Sequence, residues 1–139
     1  MNRKSIFAFV VGCTALLLIG CGPKIPYKVV PVKGVVTWQG EPLEGALLTF
    51  SPVETQGRPS RATTKADGSF EAKHTPDVMG VPTGKIVMTV LHSQRTSVTG
   101  EPLPIPEKYK ALAEKYGPGT TGYELEITKP EKNLLIDLQ

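Results

Sequence analysis

The sequence predicts an all-β fold: a seven-stranded antiparallel sandwich of two sheets with one short helix, preceded by a signal peptide. The 139 residues include 14 glycines and 13 prolines, which interrupt helices and favour short strands joined by turns. Apolar and polar residues alternate in seven separate stretches, as expected of strands that bury one face. Charged residues form 21% of the chain and hydrophobic residues 40%, proportions that are typical of a folded domain.

The predicted strands place their inward-facing residues two positions apart. The clearest is the fifth, in which Ile86, Met88 and Val90 share one face. The other strand sets, in chain order, are Val32, Gly34, Val36 and Trp38; Ala46, Leu48 and Phe50; residues 61–65; Phe70 and Ala72; Tyr123, Leu125 and Ile127; and Leu134, Ile136 and Leu138. Stretches rich in polar residues, glycine and proline are predicted to be loops, namely residues 54–60, 76–83 and 93–106.

One short helix is predicted over Glu107–Tyr116. Pro106 suits the start of a helix, and the negative charge of Glu107 is favourable at its N-terminus. Gly117 is placed to end the helix, and Pro118 prevents its continuation. Four residues fall at helical spacing on one face, so that this face can cover the sandwich: Tyr109, Leu112, Ala113 and Tyr116.

The N-terminus has the organisation of a secretory leader. Arg3 and Lys4 supply positive charge that stays on the cytoplasmic side during insertion. Residues 6–19 then form an uncharged apolar run, which is shorter than the ~20 residues needed to span a bilayer. This run has no polar face, so it does not fit a helix of a globular core. The pattern therefore predicts a signal peptide.

The leader ends in Leu18-Ile19-Gly20-Cys21, which resembles the lipobox of bacterial lipoproteins. The resemblance implies that the Cys21 thiol receives a diacylglyceryl group and that Leu18, Ile19 and Gly20 form the signal-peptidase recognition sequence. Gly20 would let the peptidase approach the bond before Cys21 without steric hindrance. Each buried acyl methylene contributes ~0.8 kcal/mol to membrane binding, so an anchor with more than one chain is stable.

Three segments are therefore expected. Residues 1–20 form the signal peptide that is removed, residues 21–30 carry the lipidated cysteine and a tether, and residues 31–139 form the sandwich domain. Prolines in the tether favour extended backbone, and residues 22–30 reach ~30 Å when fully stretched. Cys13 leaves with the leader, so the mature chain has a single, acylated cysteine and no disulfide.

The strand and turn segments together resemble the carboxypeptidase-regulatory-like, or transthyretin-like (prealbumin-like), domains of bacterial envelope lipoproteins. The segments that carry the resemblance are 32–43 (VKGVVTWQGEPL), 45–50 (GALLTF), 63–70 (TTKADGSF), 81–90 (VPTGKIVMTV), 105–109 (IPEKY) and the closing strand 133–138. The resemblance implies a seven-stranded sandwich in a family whose members mostly have no assigned activity. The chain departs from the family pattern between Tyr109 and Tyr123, where similar domains run more directly into the sixth strand.

The sequence contains few residues suited to catalysis. His74 and His92 are its only histidines, eighteen residues apart, and we interpret them as solvated residues near strand ends. A metal site would need further ligands, and no G-x-S-x-G motif is present. Transthyretin-like hydrolases end in Tyr-Arg-Gly-Ser, whereas this chain ends in LIDLQ. We therefore expect no enzyme activity, no metal and no cofactor; a small envelope hydrolase centred on His74 or His92 is the alternative.

The leading functional hypothesis is a lipid-anchored, non-catalytic binding or structural module. The net charge is +3, and removal of Arg3 and Lys4 with the leader leaves about +1, so nothing favours nucleic acid as a partner. The expected partners are membrane lipid, through acylated Cys21, and an unidentified envelope protein or polymer. Gly22, rather than an aspartate, follows Cys21, which under lipoprotein sorting rules favours the outer membrane and a periplasm-facing domain.

Trp38 and Tyr27 are candidates for exposed aromatic residues, although the position of Trp38 in its strand favours the core. Gly34 is expected to face inward, where a side chain would crowd the opposite sheet. A subunit that assembles through its edge strands is a further alternative function.

Overall fold

The computed structural model describes residues 25–94 and 96–139. The signal peptide, Leu18, Ile19, Gly20 and Cys21 lie outside the described residues, as do residues 22–24 of the tether. Strands dominate the described part, which confirms the all-β prediction. In chain order the elements are β1 (Val29–Val30), β2 (Val32–Trp38), β3 (Glu41–Pro42), β4 (Ala46–Pro52), β5 (Ser60–Thr63), β6 (Ser69–Glu71), β7 (Lys73–Thr75), β8 (Val78–Met79), β9 (Val81–Pro82), β10 (Gly84–His92), α1 (Glu107–Tyr116), β11 (Tyr123–Ile127) and β12 (Glu131–Leu138).

The strands form a sandwich-like arrangement of sheets. One sheet has six antiparallel strands in the order β11-β10-β4-β5-β7-β8, and a second has the order β12-β2-β3, with β6 also paired to β2. A short antiparallel pair, β1 and β9, forms a third sheet. The arrangement differs from the predicted seven antiparallel strands, because β12 runs parallel to β2. The predicted loop 76–83 also contains β8 and β9, which are too short to show alternation.

The predicted alternation identifies most of the core, although four residues of the predicted inward-facing sets are only partly buried: Trp38, Tyr123, Leu125 and Leu134. Phe50 of the six-stranded sheet stacks on Phe70 of the second sheet, with ring centroids 5.7 Å apart, so the two sheets share one apolar interior. The predicted inward-facing residues that are buried are Val32, Val36, Ala46, Leu48, Phe50, Phe70, Ala72, Ile86, Met88, Val90, Ile127, Ile136 and Leu138.

The helix has the predicted bounds, and its apolar face covers one end of the sheets. Tyr109 and Leu112 are buried, and the Gly117 N–H donates a hydrogen bond to the Ala113 carbonyl at the end of the helix. Tyr116 meets Trp38 edge to face, with ring centroids 6.4 Å apart. Trp38 is thus half-buried beneath the helix, packed against the core rather than inside it.

The helix and the tether lie at opposite ends of the strands. The Tyr109 hydroxyl donates a hydrogen bond to the carbonyl of Glu44, just before β4 begins. The Thr83 N–H donates to the carbonyl of Lys28, just before β10 begins, and the start of β10 pairs with the end of β4. We call the end with Lys28 and Thr83 the tether end and the end with α1 the helix end.

Gly34 lies where β2 and β12 approach most closely. It faces inward as predicted, but a Cβ at this position would overlap the carbonyl oxygen of Leu134 on the neighbouring strand, not a side chain of the opposite sheet. The pairing of β2 with β12 is irregular between Glu131 and Leu134, just before this contact. The absence of a side chain at Gly34 therefore permits the parallel pairing.

We predict that Gly34→Ala lowers the free energy of unfolding by about 3 kcal/mol, because the Leu134 carbonyl cannot move without disturbing the β2–β12 pairing. Urea unfolding followed by the fluorescence of Trp38, the only tryptophan, measures the change. Lys33→Ala is the matched control, because Lys33 lies next to Gly34 in β2. This substitution removes an exposed ion pair with Glu71 of β6 and is expected to lower the free energy of unfolding by less than about 1 kcal/mol. Equal effects of the two substitutions would contradict this account of Gly34.

Candidate functional site

Three polar side chains join the tether to the six-stranded sheet. The imidazole of His74 lies between Tyr27 and Ser60: its Nε2 is 2.8 Å from the Tyr27 hydroxyl, and its Nδ1 is 2.9 Å from the Ser60 hydroxyl. The backbone N–H of Arg58 also donates to the Tyr27 oxygen, at 3.3 Å. A continuous chain of hydrogen bonds therefore runs from the loop before β5, through the tether, into the sheet. We call Tyr27, His74 and Ser60 the tether cluster.

The positions of His74 and Ser60 in their strands point both side chains inward, where Tyr27 can reach His74. His74 is the middle residue of β7, and Ser60 is the first residue of β5; both face inward. The ring of Tyr27 meets the imidazole edge to face and also packs over Gly57, where a Cβ would lie 3.1 Å from the ring. A larger residue at Gly57 would push the tyrosine away from His74.

Burial determines the protonation of the tether cluster. His74 is 8% exposed and Ser60 is fully buried. Burial lowers the pKa of His74 below its ordinary value of 6.5, and the positive charge of Arg58 lowers it further. The ring is therefore neutral near pH 7. Because the Tyr27 oxygen already accepts the Arg58 N–H, we assign its own proton to the bond with Nε2, which leaves the ring proton on Nδ1 to be donated to Ser60.

The position of His74 corrects the sequence interpretation. It was expected to be a solvated residue near a strand end, yet it is buried and hydrogen-bonded on both sides. The signal was present in the sequence: Phe70, Ala72 and His74 are spaced two apart, so the histidine continues the inward-facing set. Tyr27, a candidate exposed aromatic residue, is likewise half-buried against the sheet.

The geometry of the tether cluster suits positioning rather than nucleophilic catalysis. Ser60 has no exposed surface, so a substrate carbonyl cannot reach its oxygen. The ring nitrogen of His74 that does not face Ser60 is bonded to the phenol of Tyr27. In a catalytic triad a carboxylate occupies this position. These hydrogen bonds instead hold the tether against the domain.

His92 lies in a separate environment at the helix end. Its ring contacts Tyr109, with centroids 4.5 Å apart, and its buried Nδ1 has no hydrogen-bond partner among the described residues. It lines a depression of about 420 Å³ together with apolar residues that include Leu91 and Ile105. The structure therefore does not bring the two histidines together.

A second, larger depression begins beside the docked tether, at Arg58, and extends past Arg61, which pairs with Thr49 in the middle of β4. It is open, has a volume of about 640 Å³ and runs along β5 and β7. Arg58, Arg61 and Lys73 line it, and all three are exposed. Glu71 also lines it but forms an ion pair with Lys33 at 3.0 Å.

Residues 25–94 and 96–139 contain neither a cluster of metal ligands nor a helix that could span a membrane. No group of three or more His, Cys, Asp or Glu side chains there is arranged to hold a metal ion. No helix in this part of the chain is both long enough and apolar enough to cross a bilayer.

We predict that Tyr27→Phe lowers the free energy of unfolding by about 1–2 kcal/mol, because it leaves the buried Nε2 of His74 without a partner while keeping the ring. Tyr123→Phe is the matched control, since the Tyr123 ring contacts Tyr116 but its hydroxyl makes no hydrogen bond within the described residues. Equal stability of Tyr27→Phe and the unsubstituted protein would show that the bond to His74 contributes nothing.

The lowered pKa of His74 predicts a pH dependence of stability. Between the lowered folded value and 6.5 the unfolded chain binds more protons than the folded protein. The stabilisation is thus complete above pH 6.5 and is lost as the pH falls through the folded pKa. His74→Gln should remove this contribution, which comparison of urea unfolding at about pH 7.5 and about pH 5 would measure. An identical pH dependence in the variant would contradict the prediction.

Comparison with known proteins gave no match to a protein family, to a curated protein or to a solved structure. The function is therefore inferred from the chain's own residues.

Proposed function

We propose that the chain is the precursor of a lipid-anchored, non-catalytic module of the bacterial envelope, fixed to a membrane through acylated Cys21. The observation that carries the proposal is the docking of the segment that follows Cys21. Tyr27 is bonded to His74, and Val29–Val30 pair with β9. A lipid at Cys21 would therefore hold the domain itself, through a short link, rather than the end of a long free chain.

The length of this link follows from the docking. Residues 22–30 were expected to be a tether of ~30 Å, but Val30 is buried and Tyr27 is docked, so five residues, 22–26, separate the cysteine from the docked side chain of Tyr27. Six residue steps from Cys21 to Tyr27 span at most ~20 Å. The tether end would lie at the headgroup layer, and the helix end would face away from the membrane.

The remaining surface features support binding or a structural role. Ser60 is inaccessible, so the hydrogen-bonded pair of His74 and Ser60 does not present a nucleophile. At the helix end, Leu91, Leu103 and Ile105 are exposed near the shallow depression beside His92. Exposed apolar side chains at the end away from the anchor are suited to contact with an envelope protein or polymer.

We place the domain among transthyretin-like, carboxypeptidase-regulatory-like sandwiches, in a variant form whose last strand pairs parallel to β2. The shared apolar interior of the two sheets and the buried alternating residues support this placement. The outer membrane, with the domain facing the periplasm, is the proposed location, because Gly22 follows the lipidated residue.

The lipid anchor predicts that Cys21→Ala abolishes incorporation of labelled fatty acid, since no other cysteine would be correctly placed after the leader. Metabolic labelling and membrane fractionation measure this, and the intact mass of the mature protein should correspond to a chain beginning at Cys21 plus acyl groups. Cys13→Ala is the matched control, because Cys13 lies within the leader and its loss should leave labelling unchanged. Labelling that persists in Cys21→Ala would overturn the proposed anchor.

A further inference from the structure

The basic depression that begins beside the docked tether contains cations without acidic partners. Arg58, Arg61 and Lys73 make no ion pair with any described residue, whereas Glu71, the acidic residue that lines the depression, is engaged by Lys33. We call Arg58, Arg61 and Lys73 the basic surface.

Two members of the basic surface face each other across strands. Arg61 of β5 is the direct cross-strand partner of Lys73 of β7. Like charges in this position destabilise a sheet, because the side chains project from the same face a few ångströms apart. An anion bound between them would remove this repulsion. Thr63 and Thr75 line the same depression, and a threonine hydroxyl can donate a hydrogen bond to an oxyanion.

The basic surface lies beside the docked tether. The backbone N–H of Arg58 donates to the hydroxyl of Tyr27, and His74, which bonds the same hydroxyl, lines the depression. Tyr27 is six residues from Cys21, which corresponds to at most ~20 Å of chain. A lipid on Cys21 would hold these cations within reach of the phosphate groups of the surrounding lipids.

The geometry points to the basic surface as a contact site for the anionic headgroups of the membrane that holds Cys21. This inference rests on the proposed anchor and adds a second, electrostatic attachment to it. Cations close to an anionic bilayer attract its headgroups, and the attraction falls off within a Debye length of about 10 Å at 0.1 M salt. The two attachments together would fix the orientation of the domain, whereas an acyl anchor alone permits rotation.

The test uses the mature acylated protein in vesicles of phosphatidylcholine, with or without about one third phosphatidylglycerol. An amine-reactive reagent labels exposed lysines, and mass spectrometry quantifies the labelling of each. We expect anionic lipid to reduce labelling of Lys73 about fivefold, which corresponds to the attraction of one cation near the surface. Lys65 and Lys108, which are exposed and distant from the tether, are internal controls and should change little.

Variants test whether the surface acts as a unit. Arg58→Gln combined with Arg61→Gln should weaken the protection of Lys73, while the backbone N–H of Arg58 that bonds Tyr27 is retained. Lys65→Gln combined with Lys108→Gln removes the same charge elsewhere and should leave the protection intact. Raising the salt to about 1 M, where the Debye length is about 3 Å, should abolish it.

The outcomes separate the inference from the anchor on which it depends. Loss of acylation and of vesicle flotation would contradict the anchor. Acylated, vesicle-bound protein in which Lys73 is labelled equally on both lipids would overturn the headgroup contact alone. A third outcome is that inorganic phosphate protects Lys73 from labelling on neutral vesicles while anionic lipid has no effect. This outcome would assign the basic surface to a soluble anion and would also overturn the headgroup contact.

Discussion

The position of the N-terminal segment depends on a buried imidazole that needs two hydrogen-bond partners. The sheet supplies one, the Ser60 hydroxyl, and the tether supplies the other, the Tyr27 hydroxyl. An unpaired polar nitrogen is costly in a buried site, and both ring nitrogens of His74 have hydrogen-bond partners only when the tether is docked. The pairing of Val29–Val30 with β9 extends the same attachment. The tether is therefore a structural part of the domain, and under the proposed anchor at Cys21 its direction would determine which end of the domain approaches the membrane.

This attachment divides the molecule into two chemically distinct ends. The basic surface, whose cations form no ion pair with any described residue, extends from the tether end, and the helix end carries exposed apolar side chains beside the ring pair of His92 and Tyr109. Tyr116 of the helix makes aromatic contacts with Trp38 of β2 and Tyr123 of β11, and these contacts hold the helix on the two strands. A domain organised in this way can meet a charged surface at one end while presenting a different surface at the other.

The local features were predictable from sequence and the long-range ones were not. Alternation identifies inward-facing residues because a strand turns successive side chains to opposite faces, and the spacing of Tyr109, Leu112 and Tyr116 identifies the helix for the analogous reason. Two-residue strands such as β8 contain too few residues to show a period. The docking of Tyr27 on His74 joins residues 47 positions apart, and no local pattern specifies such a contact. The inward position of His74 was readable from Phe70 and Ala72, although its partners were not.

The parallel pairing of β12 with β2 has a consequence for biosynthesis. The hydrogen bond between the Thr37 hydroxyl and the Asp137 carboxylate joins residues 100 positions apart, and Ile136 aligns with Val36 over a similar separation. The sheet that contains β2 therefore lacks β12 until residues 131–138 have been synthesised. A nascent polypeptide of this topology would remain unfolded while it emerges from the ribosome, because contacts between distant segments form late. Such a delay would be compatible with the proposed export, because a polypeptide crosses a translocation channel unfolded.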